Sequence, residues 1–351
     1  MLKVENLTVS FNDDIGNGII VDNFSFELNK GEILALVGES GSGKSMTALS
    51  IIGLLKKNAV VGGVIDLDGT NLLELTKKER RSYMGDDIAM IFQEPMTSLN
   101  PVMRVGKQVE EMIKLHIDAF DKKPSKKEMK DKVIEMFEKV DLPEPEKIYR
   151  KYPHELSGGM RQRIVIAIAL SCQPKILICD EPTTALDVTI QAKIIELIRR
   201  IQKERGISVI YITHDLGVVA KVADYVNVMY AGKIVEKGTI NEIFYDPKHP
   251  YTWGLLSAMP DLDTDDERLY TIPGSPPNLL HETQGDAFAA RNRYALVVDD
   301  KADPPMFKVT DTHYAATWLL DPRAPKVEMP QELKARLERM KKEASDYGSE
   351  L

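Results

Sequence analysis

Cysteine is nearly absent. Only Cys172 and Cys179 occur in 351 residues, too few for a disulfide framework or a cysteine-ligated metal centre. Both sit in apolar runs, where a thiol is a small buried packing group rather than a reactive one. Long hydrophobic runs are missing too. None approaches the ~18 residues of a membrane-spanning helix. Met1-Leu2-Lys3-Val4-Glu5 lacks the apolar core of a secretion signal. A cytoplasmic chain is expected, one free to dock on a membrane protein. Positive charge is in deficit, with 46 Lys and Arg against 54 Asp and Glu and a net charge of −8. This balance argues against a broad nucleic-acid footprint, so no nucleic-acid partner is expected. No repeat of solenoid period appears. What remains, 43% apolar and 28% charged, is ordinary for one large or two modest globular domains.

The strongest positive signal is Gly38-Glu39-Ser40-Gly41-Ser42-Gly43-Lys44-Ser45, which fits the phosphate-binding P-loop G-x-x-x-x-G-K-[ST]. Ile33 to Val37 before it reads as a buried strand. Ala48, Leu49, Ile51 and Ile52 after it give a helical apolar face. Strand, glycine-rich loop and helix together form the context the motif needs. Glycines let backbone N–H groups turn toward phosphate oxygens, and the helix N-terminus adds positive partial charge. Lys44 would reach the β- and γ-phosphates, and the Ser45 hydroxyl would bind Mg²⁺.

Upstream, Leu2, Val4, Leu7, Val9, Phe24, Phe26 and Leu28 alternate as half-buried antiparallel strands, with a polar turn at 13–18. Phe11 closes the first run, and either stacks on a purine base or ends the strand in the core. Downstream, Val64 to Gly69 reads as strand and turn. Ile88 to Phe92 is a buried strand ending at Gln93, where a glutamine can ligate Mg²⁺ or orient water. Residues 94–101 read as a loop. Residues 103–150 are mostly helical, with Met129, Val133, Met136, Phe137 and Val140 on one face. The lysine-rich piece 122–132 is a solvated face or linker.

Ser157-Gly158-Gly159 opens a long apolar helix, whose N-terminus makes a second anion site. Lys175 to Cys179 is a strand ending in Asp180-Glu181. Asp180 would hold the Mg²⁺ shell, and Glu181 would polarise the attacking water as general base. A helix over Ile190–Ile201 follows. The strand Ser208–Thr213 ends at His214, a place where ligands bind in open α/β sheets. The other histidines read as structural or surface residues. Ala231-Gly232 turns a hairpin. Beyond about residue 245 proline recurs and 261–267 is acidic, which marks a loop-rich segment with short strands. Residues 330–351 read as a charged helix and tail.

In order and spacing, these motifs resemble the ATP-binding subunit of an ATP-binding-cassette (ABC) transporter. The resemblance covers a Walker A loop at Gly38 to Ser45, a Q-loop at Gln93 and a signature at Leu156 to Gln162. It extends to a Walker B strand ending at Asp180-Glu181, a D-loop at Ala185-Leu186-Asp187 and a switch histidine at His214. Phe92 to Pro101, Asp187 to Ala192, His249-Pro250-Tyr251-Thr252 and Ile272 to Pro277 resemble dipeptide/oligopeptide importers in particular.

The implied fold is α/β, a P-loop ABC nucleotide-binding domain over 1–245 with a RecA-like core, an antiparallel β subdomain and a helical subdomain near 95–172. A small C-terminal extension spans 246–351. The implied cofactors are ATP and Mg²⁺, with Phe11 on the adenine and Ser45, Gln93 and Asp180 at the metal. Gly38, Ser40, Gly41, Ser42, Gly43, Lys44, Ser45, Met46, Ser157, Gly158, Gly159 and Asp187 surround the nucleotide. Glu181, His214, Lys44 and Gln93 are the catalytic set. Met46 departs from the threonine often found after the Walker A serine. Its backbone N–H would do the phosphate work.

The implied function is a motor for di-/oligopeptide import at the cytoplasmic side of the cell membrane. The implied partners are a second, homologous ATPase subunit, two permease subunits and an extracytoplasmic peptide-binding protein. Two subunits would sandwich ATP between one chain's Walker A and the other's signature. Another cargo such as nickel is the alternative. A non-transport ABC ATPase of DNA repair or translation would show tandem cassettes or a coiled-coil insertion, which are lacking. A dead regulatory subunit would have lost Lys44, Glu181, His214 or the Ser-Gly-Gly.

Many members carry four C-terminal cysteines that bind an iron–sulfur cluster. Here Asp286, Asn292, Asp299 and Thr317 stand at those places within an otherwise matching frame. No cluster is expected. Apolar and hydrogen-bonded contacts among Phe288, Tyr294, Phe307 and Trp318 are expected in its place.

Overall fold

The computed structural model describes every residue except 14–15, 117–123, 185, 260–271, 280–283 and 347–351. Ala185 of the D-loop, part of the first polar turn and the acidic stretch 261–267 lie outside the described residues.

The amino-terminal alternation forms β1 (Leu2–Asp13) and β2 (Gly16–Leu28), with Leu2, Val4, Leu7, Val9, Phe24 and Leu28 buried. β3 (Ile33–Val37) is buried along its whole length and leads through the P-loop into α1 (Lys44–Ile52). β4 (Ala59–Leu67) and β5 (Thr70–Asn71) follow. A Thr76–Glu79 capping box opens α2 (Lys77–Tyr83), and β6 (Ile88–Ile91) ends just before Gln93. The stretch read as a loop holds one helical turn, α3 (Pro95–Ser98). The Thr97 and Ser98 hydroxyls donate back to the Glu94 carbonyl at 2.9 and 3.0 Å and close that turn.

Helices then dominate, with α4 (Val105–Leu115), α5 (Lys126–Lys139), α6 (Pro145–Ile148) and α7 (Gly158–Leu170). The lysine-rich piece enters α5 through a Ser125–Glu128 capping box. Met129, Val133, Met136 and Phe137 are its buried face, as their spacing predicts. β7 (Ile176–Asp180) precedes α8 (Val188–Arg205). The latter is longer than Ile190–Ile201, because the Asp187 carboxylate caps its start and Gly206, at φ 62°, its end. β8 (Ser208–Thr213), α9 (Leu216–Val222), β9 (Tyr225–Tyr230), β10 (Lys233–Thr239) and α10 (Ile240–Tyr245) continue the alternation. Last come α11 (Pro250–Ser257), β11 (Phe307–Lys308), β12 (Tyr314–Ala315) and α12 (Gln331–Asp346).

Two compact units emerge. One comprises Met1–Glu27, Ile33–Leu73 and Thr213–Leu351; the other comprises Leu28–Glu32 and Glu74–Ile212. The first holds an antiparallel-paired sheet, ordered β2-β1-β4-β5, and the strands β11-β12-β10-β9-β3. β3 runs parallel to β9, while β10 is antiparallel to both β9 and β12. Ala231 (φ 48°) and Gly232 (φ 81°) supply the left-handed pair a two-residue hairpin needs. The carboxy-terminal strands thus share a sheet with the P-loop strand, because β12 pairs with β10.

The second unit holds β8-β7-β6, parallel throughout, with α2 to α8. Parallel strands covered by helices read as continuous apolar runs, which is how β7 and β8 look in the sequence. Cys172 and Cys179 are buried there, as their apolar surroundings predict. Burial pushes the Cys172 thiol up to about 11 and the Cys179 thiol higher still, so neither is reactive. No helix among the described residues is long and apolar enough to cross a membrane.

Candidate nucleotide site

In the first unit, fully buried β3 delivers the P-loop. A Cβ on Gly38 would lie 2.2 Å from the Met229 carbonyl oxygen, so only glycine fits. Gly41 and Gly43 take φ of 81° and 100°, the left-handed region. The hairpin turn braces the loop from below: the Gly232 N–H donates to the Ser42 carbonyl at 3.0 Å. Lys44 is 5% exposed. Its ammonium donates to the carbonyls of Gly38 (2.7 Å) and Glu39 (2.9 Å) and to Ser42 Oγ (3.3 Å).

Ser40 and Gly41 are exposed at the rim, while Ser45 and Met46 are half-buried in the first turn of α1. That helix starts from Gly43 without a side-chain cap. A bare helix N-terminus after a left-handed glycine loop is a fit cradle for phosphate. Phe11 is half-buried on β1, opposite Ala59 in the register. His214 is exposed directly after β8. Asp215 beside it caps α9, accepting from the N–H groups of Gly217 and Val218.

The second unit brings two of the expected catalytic residues together. β7 is buried to its end at Asp180, which is 5% exposed. Glu181 follows with φ 44°, a left-handed conformation unusual outside glycine. Its N–H donates to the Ile212 carbonyl at 3.0 Å, which holds the strained turn. Its carboxylate Oε2 accepts from Gln93 Nε2 at 3.1 Å and from Thr184 Oγ1 at 2.9 Å. Gln93 thus reaches the general-base candidate directly. Thr184 is a site residue that motif reading misses, although its place three after Glu181 on a tight turn is a signal.

Ser157 caps α7, with Oγ accepting from the Met160 N–H at 3.3 Å. Asp187 caps α8, accepting from Ile190 N–H at 3.0 Å. A Cβ on Gly159 would stand 2.7 Å from Ile190 Cγ2, so the starts of α7 and α8 are pressed together. Gly158 is exposed beside them.

The four positions of the cysteine frame are all buried: Asp286 and Asn292 at 9%, Asp299 at 2% and Thr317 at 3% exposure. One side-chain oxygen of each accepts a local backbone N–H. The donors are Phe288 to Asp286 (2.9 Å), Tyr294 to Asn292 (2.9 Å), Leu296 to Asp299 (2.5 Å) and Leu319 to Thr317 (3.3 Å). In these turns a side chain takes the place of a backbone acceptor. Hard oxygens already given to N–H donors do not fit an iron–sulfur cluster, which takes thiolates.

Of the expected aromatic contacts, Phe307 with Trp318 forms within the set, while Phe288 and Tyr294 pack on residues outside it. Phe288 packs on Tyr230 (5.1 Å) and Tyr251 (5.4 Å), Tyr294 on Trp253 (5.5 Å), and Phe307 on Trp318 (6.1 Å).

Burial pushes the Asp286 carboxyl up to about 6, from an ordinary 3.8. The folded chain therefore binds this proton more tightly than the unfolded chain. The stability it contributes is full below pH 3.8 and is lost as pH rises through about 6. Asp286→Asn keeps the acceptor for Phe288 and removes the buried charge. It is expected to gain roughly 1–3 kcal/mol at pH 7.5 and close to nothing at pH 3.8. Denaturant melts of the full chain at both pH values measure it; an equal effect at both would refute the assignment.

The family model "ABC transporter" matches residues 21–184, and "Oligopeptide/dipeptide transporter, C-terminal region" matches residues 235–297. The chain is 53% identical to the oligopeptide transport ATP-binding protein OppD of Bacillus subtilis, over 97% of this chain and 94% of that one. It is 52% identical to the dipeptide transport ATP-binding protein DppD of Lactococcus lactis subsp. cremoris, over 97% and 96%. Among solved structures, a dimeric ATP-binding cassette in a post-hydrolysis state with ADP and Pi superposes with a TM-score of 0.61. It has 27% identity over 68% of this chain and 99% of that one.

Proposed function

The chain belongs to the ABC transporter family, among the oligopeptide and dipeptide transport ATP-binding proteins, and from that premise we propose how its residues drive peptide import. It is the ATP-hydrolysing subunit of such an importer. The observation that carries the mechanism is Glu181, held by Gln93 and Thr184 at a strained strand end beside Asp180. Lys44 and the backbone of residues 40–46 bind the phosphates, and Phe11 stacks on the adenine. The Glu181 carboxylate takes the proton of the attacking water, with Gln93 and His214 orienting the reacting groups. Ser157, Gly158, Gly159 and Asp187 close over the nucleotide of a facing subunit. A strain lacking this chain is expected to lose uptake of labelled di- and oligopeptides and to regain it with the wild-type gene only. Undiminished uptake would refute the cargo class.

Mg²⁺ is the proposed metal. The Ser45 hydroxyl, the Asp180 carboxylate and the Gln93 amide are the hard oxygen donors it prefers. Bound there, it would neutralise charge on the phosphoryl oxygens. No iron–sulfur cluster is proposed, because the oxygens of Asp286, Asn292, Asp299 and Thr317 serve as turn acceptors. Protein purified anaerobically is expected to be colourless and iron-free; stoichiometric iron with matching sulfide would refute this.

The functional division we propose sets residues 1–245, with a helical subdomain near 95–172, against a C-terminal extension over 246–351. The partners are two permease subunits at the cytoplasmic side of the membrane, a peptide-binding protein outside, and a second, homologous ATPase subunit. Affinity purification of the tagged chain is expected to yield the second ATPase in equal amount. A transporter holding two copies of this chain alone would contradict the heterodimer.

A further inference from the structure

The P-loop residue Glu39 is gripped through all of its polar groups. Its carboxylate takes a two-pronged guanidinium, with Arg291 Nη1 at 2.6 Å from Oε2 and Nη2 at 3.0 Å from Oε1. Its N–H donates to the Tyr251 hydroxyl at 2.8 Å. Its carbonyl accepts from Lys44 Nζ at 2.9 Å, the lysine that the proposed function places on phosphate. So one residue joins the carboxy-terminal segment to the phosphate-binding lysine.

Arg291 is itself held on every side. Its Nε donates to the Pro273 carbonyl at 2.7 Å, Nη1 to the Tyr230 hydroxyl at 3.3 Å, and its guanidinium lies 5.7 Å from the Tyr230 ring centroid. The side chain is 5% exposed, against 29% for Glu39. A bidentate, desolvated pair of this kind is directional as well as strong, unlike a surface ion pair. Arg291 ends a 3₁₀ turn bracketed by Asp286 and Asn292. Oxygens at two of the cysteine positions therefore close the turns on either side of the backbone that carries it.

We propose that Arg291 is a positioning residue for the P-loop, acting through Glu39, so that nucleotide binding and docking of the carboxy-terminal segment reinforce one another. The proposal rests on the ATP reading of the P-loop. Without Arg291, Glu39 loses its directional partner, and the loop carrying the Lys44-binding carbonyls gains alternative conformations. Part of the nucleotide's binding energy then goes into ordering the loop. By linkage, bound nucleotide must strengthen the Arg291 contact by the same factor.

The test uses the full chain with a fluorescent ATP analogue and Mg²⁺. Arg291→Ala and Glu39→Gln are each expected to raise the nucleotide Kd about tenfold, a change of ~1.4 kcal/mol. The double variant should raise it no further, and Arg291→Lys should restore part of the affinity. At saturating ATP, the kcat of Arg291→Ala should stay within about twofold of wild type, because Arg291 touches no reacting atom. In wild type, nucleotide should slow amide exchange over residues 288–294, which decides the matter even where a variant fails to fold. A lowered melting temperature with unchanged Kd, or exchange indifferent to nucleotide, would overturn the proposal. Wild type that binds no nucleotide would instead overturn the ATP reading beneath it.

Discussion

Glu181→Gln is expected to bind ATP normally and to hydrolyse it roughly 10²–10⁴-fold more slowly, the range lost with a positioned general base. The substitution is nearly isosteric. The new amide oxygen would still accept from Thr184 Oγ1, and the backbone bond from residue 181 to the Ile212 carbonyl is untouched. What disappears is the carboxylate that takes the proton of water. Because φ at this position is already left-handed and held by Ile212, the variant inherits the same strained turn without further destabilisation. Binding and chemistry thus separate. With the second ATPase subunit present, the ATP-loaded variant should elute as a stable dimer on gel filtration while phosphate release falls. Near-wild-type phosphate release would remove Glu181 from the role of base.

Lys44→Ala should fail one step earlier. Its ammonium ties the carbonyls of Gly38 and Glu39 and the Ser42 hydroxyl into one loop, from a buried position. Removing it deletes the charge meant for the phosphates and releases the loop that cradles them. A hydrogen bond to a charged group contributes ~1.5–3 kcal/mol, so nucleotide Kd should rise about 10–100-fold. Titration calorimetry with ATP and Mg²⁺ measures this directly. A variant that kept full affinity but lost turnover would move Lys44 from binding to chemistry. The two variants therefore differ in kind, since saturating ATP partly rescues Lys44→Ala and cannot rescue Glu181→Gln.

Much of this was legible in the residues themselves. β3, β7 and β8 were readable because strands buried on both faces must be apolar throughout. The P-loop was readable because its chemistry is local: glycine at left-handed positions, lysine and serine at fixed offsets. The hairpin at Ala231-Gly232 and the buried face of α5 followed from turn chemistry and helical period. Element ends were less legible. α8 outran its expected bounds because the caps at Asp187 and Gly206, not the apolar spacing, decide where it starts and stops.

Other features exist only in three dimensions. The Gln93–Glu181 bond joins residues at the ends of two different strands, and the Glu39–Arg291 pair joins the P-loop to a turn near the far end of the chain. Nothing in either local sequence names its partner, because long-range pairing depends on which strands lie side by side. The pairing of β12 with β10 is of the same kind: a two-residue strand offers no periodicity, and only the open edge of β10 selects it. Residue types a few positions apart were enough to write the nucleotide chemistry and the elements that carry it, since phosphate binding and strand burial are local demands. That the carboxy-terminal segment grips the P-loop was settled by the packed chain alone, because a buried guanidinium finds its carboxylate by proximity in space and not along the sequence.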